Sequence, residues 1–259
     1  MRPVIEDQMA RHVPEEVSAI WTPEARVRIH RMIWCIVLTA HMQAGVVEYD
    51  ADILRALDRA LPDIDLAAIE QRERITRHDV KASLEEYIHV AAVPEVLHLG
   101  MTSADVVDNM SLIQMAQTCR VLGELADDDN LRNWSQWLPF RGIVGPVGTG
   151  QDQLDLMRGD QDAYDQFQSS VYQAFGFRYQ LTSVGQVYPR SMDLSYATAL
   201  MPLAICHQAT ARLAGGYMAM IAGYSGDQWN EGDVSSSVVR RVALPGITFA
   251  AAAGLVATF

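Results

Sequence analysis

Apolar residues recur along this chain at intervals of three and four, the repeat of one face of an α-helix, over most of its length. Thr22-Pro23-Glu24 supplies a cap, a proline at the first helical position and an acid in the first turn. A helix is therefore predicted from there to Ala44, stopped by Gly45. Ile29, Ile33, Ile36, Val37 and Ala40 share one face of it, and His30 and His41 are expected at its surface or at an interface. Ile53, Leu54, Leu57 and Leu61 mark a short amphipathic helix ending before Pro62. Further helices are predicted over 66–74 and 79–92, the second stopped near Pro94. Another is predicted over 104–126, with Val106, Met110, Ile113 and Gln117 on one stripe. Asp127-Asp128-Asp129-Asn130 interrupts the pattern. Tyr164, Phe167, Val171 and Phe175 form a stripe closed by Gly176, which reads as core, and a helix from near Ser191 carries Pro202 as a kink or break. The longest apolar run, Ile247 to Phe259, would span roughly 20 Å as a helix against the ~30 Å of a bilayer core, so it reads as the start of a buried helix. Nothing reads as a strand ladder, and the predicted fold class is all-α.

Charge narrows the partners. A net charge of −12 and an isoelectric point near 4.9 oppose nucleic acid or an anionic membrane surface as the main partner. They leave open a small anion held by local arginines. Of the 20 basic residues only Lys81 is a lysine, and the guanidinium fork suits carboxylate and phosphate, although genomic base composition produces the same bias. Cys35, Cys119 and Cys206 are odd in number and widely spaced, which fits a reduced, cytoplasmic protein. The first twelve residues lack the apolar core of a signal peptide. The histidines show no HExxH or other ligand spacing, so neither metal nor organic cofactor is implied. The glycine-rich piece 142–150 has no GK[ST] and reads as a tight connection between helices, with a phosphate loop as the other reading.

Chemistry-bearing residues concentrate in 74–109. Arg77-His78-Asp79 opens one predicted helix, and His98, Thr102 and Ser103 precede the next. Thr102 or Ser103 is its N-cap, with Asp105 in the first turn; such a helix start can seat a carboxylate or phosphate, or be an ordinary cap.

RHDVKASLEEY (77–87) followed by HLGMTSADVVDN (98–109) resembles the adenylosuccinate lyase branch of the fumarase/aspartase superfamily. FRGIVGPVGT (140–149) and WNEGDVSSSVVRRVALPG (229–246) resemble the same family, in the family's order, and a looser match lies at the N-terminus. The resemblance implies a fumarase/aspartase-like fold: an N-terminal helical domain over 1–103 and a long central helical bundle over 104–259, here lacking internal segments and the C-terminal domain. It implies a C–N lyase of purine biosynthesis. The reaction is β-elimination of fumarate from adenylosuccinate, giving AMP, and from succinylaminoimidazole carboxamide ribotide. It also implies a homotetramer with active sites shared between subunits.

By the same resemblance His78 orients the succinyl part or assists proton transfer, and Arg77 and Asp79 line the site. Thr102 and Ser103 donate to a carboxylate. Gln186, Ser237 and Arg241 bind substrate, the last two at its phosphate. Arg11 and His12 stand where the family grips phosphate with an Arg-Tyr pair, so Arg11 matches and His12 does not. His98 matches a histidine near the site, or is a packing histidine. Gly232 replaces a further arginine, and Arg240 is expected at the surface or in a helix contact. The Thr-His motif of the general acid has no counterpart after 127–130. The serine loop of the general base has none near Leu213. Either this sequence omits segments of a complete enzyme, or the polypeptide carries deletions. The rivals are a truncated, catalytically impaired homologue that binds nucleotide or co-assembles, and another fumarate-releasing lyase of the superfamily.

Overall fold

The structure, a computed structural model, describes residues 10–137, 142–146, 150–176, 189–225 and 234–257, with backbone alone at 10, 135–137, 189–191 and 234–237. After a 3-10 turn at Ala10–His12 the α-helices are α1 (Glu15–Ser18), α2 (Pro23–Gln43), α3 (Ala51–Ala60), α4 (Leu66–Thr76), α5 (Asp79–Ala91) and α6 (Ser103–Leu125). They continue as α7 (Asp129–Trp137), α8 (Gln151–Leu156), α9 (Gln161–Ala174), α10 (Pro189–Ala204), α11 (Gln208–Tyr224) and α12 (Val234–Val256). No strand occurs among the described residues.

Local signals set these ends. Pro23 opens α2, and Gly45 turns the chain at φ 71°. The Asp50 carboxylate caps α3 by accepting from the N–H groups of Asp52 and Ile53 at 2.8 and 3.1 Å. Asp65 caps α4 by accepting from Ala68 N–H at 3.0 Å. Asp127, at φ 50°, ends α6, and Asp128 accepts from Asn130 N–H at 2.8 Å to start α7.

The chain forms two compact units, and the division falls inside α6 after Ser111. The unit made of 23–111 and 139–187 packs α4 and α3 on α5, and α2 against α3, α5 and α9. Val27, Ile69 and Ala82 form one buried cluster, flanked by Ile64 and Leu66. Helix α2 is covered on several sides, so its histidines are not superficial: His30 is 4% and His41 1% exposed, against the expectation for both. His41 Nε2 meets Gln153 Oε1 at 2.7 Å, and its ring stacks on Phe167 at 4.8 Å.

The other unit, 1–22, 112–138 and 188–259, packs α10, α11 and α12 on one another, with the Ala10–His12 turn and α1 against α12. Of the two expectations for Arg240, the helix contact holds and the surface position does not: it is buried, because the Asp193 carboxylate faces it from α10. Its Nε and Nη2 reach the two Asp193 oxygens at 2.7 and 3.0 Å, and Tyr224 Oη donates to Asp193 Oδ2 at 2.9 Å. Val238–Val256 is long and apolar enough to cross a membrane, but 78% of its most apolar window is buried within the protein.

Candidate active site

Two bends carry the candidate residues of the first unit, and both hold a non-glycine residue at positive φ. Arg77, at φ 56°, closes α4, and its backbone N–H reaches Glu73 O at 2.8 Å. That left-handed residue turns the chain so that His78 becomes the N-cap of α5. The side chain of His78 does the capping: its Nδ1 accepts from Lys81 N–H at 3.3 Å. Thr76 Oγ1 donates to His78 O at 3.1 Å and braces the bend. Asp79 follows in the first turn, with Oδ1 3.8 Å from His78 Nδ1. The cap and that ion pair need different protonation states of one nitrogen. The shorter cap describes neutral His78, and the pairing with Asp79 belongs to the imidazolium.

The second bend leads into α6. His98 sits at φ 67° and Gly100 at φ 60°. Trp34 Nε1–H donates to His98 Nδ1 at 3.0 Å. Gln153 holds the same loop from α8, its Nε2 donating to Leu99 O at 2.9 Å while its Oε1 faces His41. A side chain at Gly100 would meet Gln153 Nε2 and Leu156 Cδ1 at 2.8 Å.

Asp105 controls the start of α6. Helix α6 begins at Ser103, so Thr102 is the N-cap, and Asp105 Oδ2 accepts from Thr102 N–H at 3.0 Å. The same carboxylate accepts from Val144 N–H at 3.1 Å and Gly145 N–H at 3.0 Å. Asp105 is fully buried, so part of the anion-binding capacity of this helix start is taken up by the protein's own carboxylate. Thr102 and Ser103 are half-buried.

Burial pushes the His98 imidazolium down to about 4, with the nearby His78 charge adding to the effect. His98 is therefore neutral at pH 7. It lies in the same compact unit as His78, so the RHD and HLGMTS motifs belong to one unit. The remaining candidates lie in the other unit. Arg11 and His12 are exposed on the turn that packs against α12, and Arg241 is exposed on α12. Ser237 is also on α12, with its side chain outside the described residues, and Gln186 lies outside them altogether. Trp34, Gln153 and His41 escape sequence reasoning, because a contact between residues 64 or 112 positions apart leaves no local signal. No group of three or more His, Cys, Asp or Glu able to hold a metal occurs among the described residues.

Comparison with solved structures defines the class by fold. β-carboxy-cis,cis-muconate cycloisomerase from Acinetobacter calcoaceticus matches with a TM-score of 0.76 at 15% identity, over 94% of this chain and 74% of that one. A 3-carboxy-cis,cis-muconate lactonizing enzyme from Pseudomonas putida gives 0.70 at 14%, over 95% and 74%. A fumarate lyase from Mesorhizobium gives 0.63 at 12%, over 95% and 74%. The chain thus has the all-α, fumarase/aspartase-like fold. In sequence it is similar to proteins named adenylosuccinate lyase. That of Schizosaccharomyces pombe is 25% identical, over 75% of this chain and 50% of its own length. That of Saccharomyces cerevisiae is 22% identical, over 75% and 51%, and that of Schistosoma mansoni 23%, over 73% and 49%. The chain spans about half the length of the curated relatives it matches. No profile of a known protein family matches it.

Proposed function

We propose that this chain is part of a C–N lyase that eliminates fumarate from adenylosuccinate, leaving AMP, and from succinylaminoimidazole carboxamide ribotide. The observation that carries the reading is that the two separately recognisable motifs, with His78 capping α5 and His98 held by Trp34, lie in one compact unit. Similarity to proteins named adenylosuccinate lyase supports the substrate class.

The reaction removes a proton from the carbon beside a carboxylate, breaks the neighbouring C–N bond and returns a proton to the leaving nitrogen. Charge builds on the carboxylate, so fixed donors there supply much of the rate. In this reading Thr102 and Ser103 donate to that carboxylate, and Arg77 and Asp79 line the pocket. Neutral His78 carries its proton on Nε2 and orients the succinyl part; as an imidazolium it would pair with Asp79 and hold a proton that it could give to the leaving nitrogen. His98 lies beside it. Gln186 binds the substrate, and Ser237 and Arg241 hold its phosphate, with Arg11 and His12 standing at the same group.

A homotetramer belongs to the same proposal. Leu213 and Met220 on α11 and Val238 and Val242 on α12 are between 43% and 59% exposed, an apolar surface suited to a second copy. A cytoplasmic setting fits three cysteines that are all unpaired.

The second reading is a non-catalytic homologue that binds nucleotide or co-assembles. It is favoured by the missing Thr-His motif and serine loop, since losing a general acid or base costs about 10² to 10⁴ in rate. Intact mass and fumarate release, measured on the same preparation of the full-length polypeptide with adenylosuccinate, separate the two. Fumarate release supports the lyase. A mass near 28.7 kDa with binding but no turnover sinks it and leaves the non-catalytic homologue.

A further inference from the structure

Trp34 is fully buried in α2 and locked by aromatic neighbours. Its ring stacks with Tyr87 at 6.4 Å and 26°, and meets His30 edge-on at 5.9 Å and 63°. On its remaining side it meets the His98 ring at 6.2 Å and 71°, with its indole N–H directed at Nδ1 over 3.0 Å. An indole nitrogen only donates, so His98 Nδ1 is the acceptor and carries no proton. A neutral imidazole then has its proton on Nε2. An imidazolium at this position would set two N–H groups against each other. The backbone adds to the constraint, because His98 is held at φ 67° between buried Leu97 and buried Met101.

We propose that Trp34 is a positioning residue: its indole N–H fixes His98 as the Nε2–H tautomer, so that His98 meets a ligand as a hydrogen-bond donor and not as a base. The ligand half of this statement rests on the lyase reading. There the Nε2–H would face charge building on the substrate carboxylate, and the proton removed from carbon would go to another group. The tautomer itself is a property of the ligand-free protein.

The test uses the full-length polypeptide labelled with 15N in its histidine rings. Long-range 1H–15N correlations assign the His98 tautomer without ligand, and fumarate release from adenylosuccinate is followed in parallel. The unaltered protein is expected to show His98 with its proton on Nε2 alone. Trp34→Phe, which keeps an aromatic ring and loses the donor, is expected to populate the Nδ1–H form and to lower kcat/KM about tenfold, the worth of one hydrogen bond to a charged group. A purely structural role for Trp34 would leave the tautomer unchanged. Proton on Nδ1 in the unaltered protein, or an unchanged Nε2–H signal in a folded Trp34→Phe variant, overturns the assignment. Should Trp34→Phe not fold, the tautomer of the unaltered protein decides alone. A correct tautomer without fumarate release removes only the lyase reading; fumarate release with the Nδ1–H tautomer removes only the role of Trp34.

Discussion

Glu86 joins two helix ends through Arg31. Its Oε2 lies 2.5 Å from Arg31 Nη2, and its Oε1 accepts from Asp65 N–H at 3.1 Å, at the start of α4. Arg31 in turn donates to the carbonyls of Ala60, Leu61 and Asp63 at the end of α3, and its guanidinium lies 4.6 Å from the Tyr87 ring centre. Both side chains are essentially inaccessible, so neither charge can recover water if the other is removed. Glu86→Ala should therefore destabilise the chain by about 3–5 kcal/mol. Urea denaturation measures it, and a loss below about 1 kcal/mol would show that the pair is dispensable.

Asp105→Asn tests the link between the start of α6 and the segment 142–146. The carboxylate accepts three backbone N–H groups, from Thr102, Val144 and Gly145. An amide keeps one acceptor oxygen and turns a donor toward N–H groups that are themselves donors. The expected cost is about 2–3 kcal/mol, and exchange at the Val144 and Gly145 amides should accelerate more than exchange elsewhere. Uniform acceleration would mean that the substitution weakens the whole unit rather than this contact.

The helices that frame these contacts were legible because their ends are local chemistry. Thr22-Pro23, Gly45 and the break at Asp127 act within one turn of the residues they control, and the structure has helix ends at each. Helix α6 was only half legible. Its stripe of Val106, Met110 and Ile113 is buried, but so are Asp108, Asn109, Ser111 and Gln114, and polar residues in a pattern ordinarily mark a wet face. The candidate site shows in the sequence as two motifs and not as a set of hydrogen bonds. Which nitrogen of His98 is used depends on Trp34, 64 positions away, and the burial of His41 depends on Gln153, 112 positions away. Arg240 gives the same lesson, since its partner Asp193 stands on another helix and nothing in the Arg240-Arg241 pair distinguishes the buried arginine from the exposed one.

Two glycines in α11 and α12 should respond in opposite directions to alanine. A Cβ at Gly246 would lie 2.3–2.7 Å from carbons of the Tyr217 ring, so Gly246→Ala should cost about 1–3 kcal/mol through overpacking. A Cβ at Gly215 meets nothing within 4 Å, and Gly215→Ala should stabilise by about 0.5–1 kcal/mol through helix propensity. Thermal unfolding of the two variants side by side checks the packing of α11 on α12. Equal shifts would contradict it.

Acid sensitivity should show a component from His98. Its folded pKa of about 4 lies below the ordinary 6.5, with burial the main cause and His78 the second. Between those values the unfolded chain binds a proton at this residue and the folded chain does not, so stability must fall as pH falls through that window. Above about 6.5 both states are neutral and the contribution is flat; below about 4 both are charged and it is flat again. The loss across the window approaches ~3 kcal/mol, at about 1.4 kcal/mol per unit. His41, also lowered by burial, acts in the same direction. His98→Asn removes the titrating group and suits the left-handed backbone, because asparagine tolerates positive φ. Unfolding free energies at closely spaced pH values should therefore be less steep between pH 4 and 6.5 for His98→Asn than for the unaltered chain. Parallel curves would mean that His98 takes up its proton in the folded protein over the same pH range as in the unfolded chain, and that burial and the Trp34 N–H do not hold it neutral there.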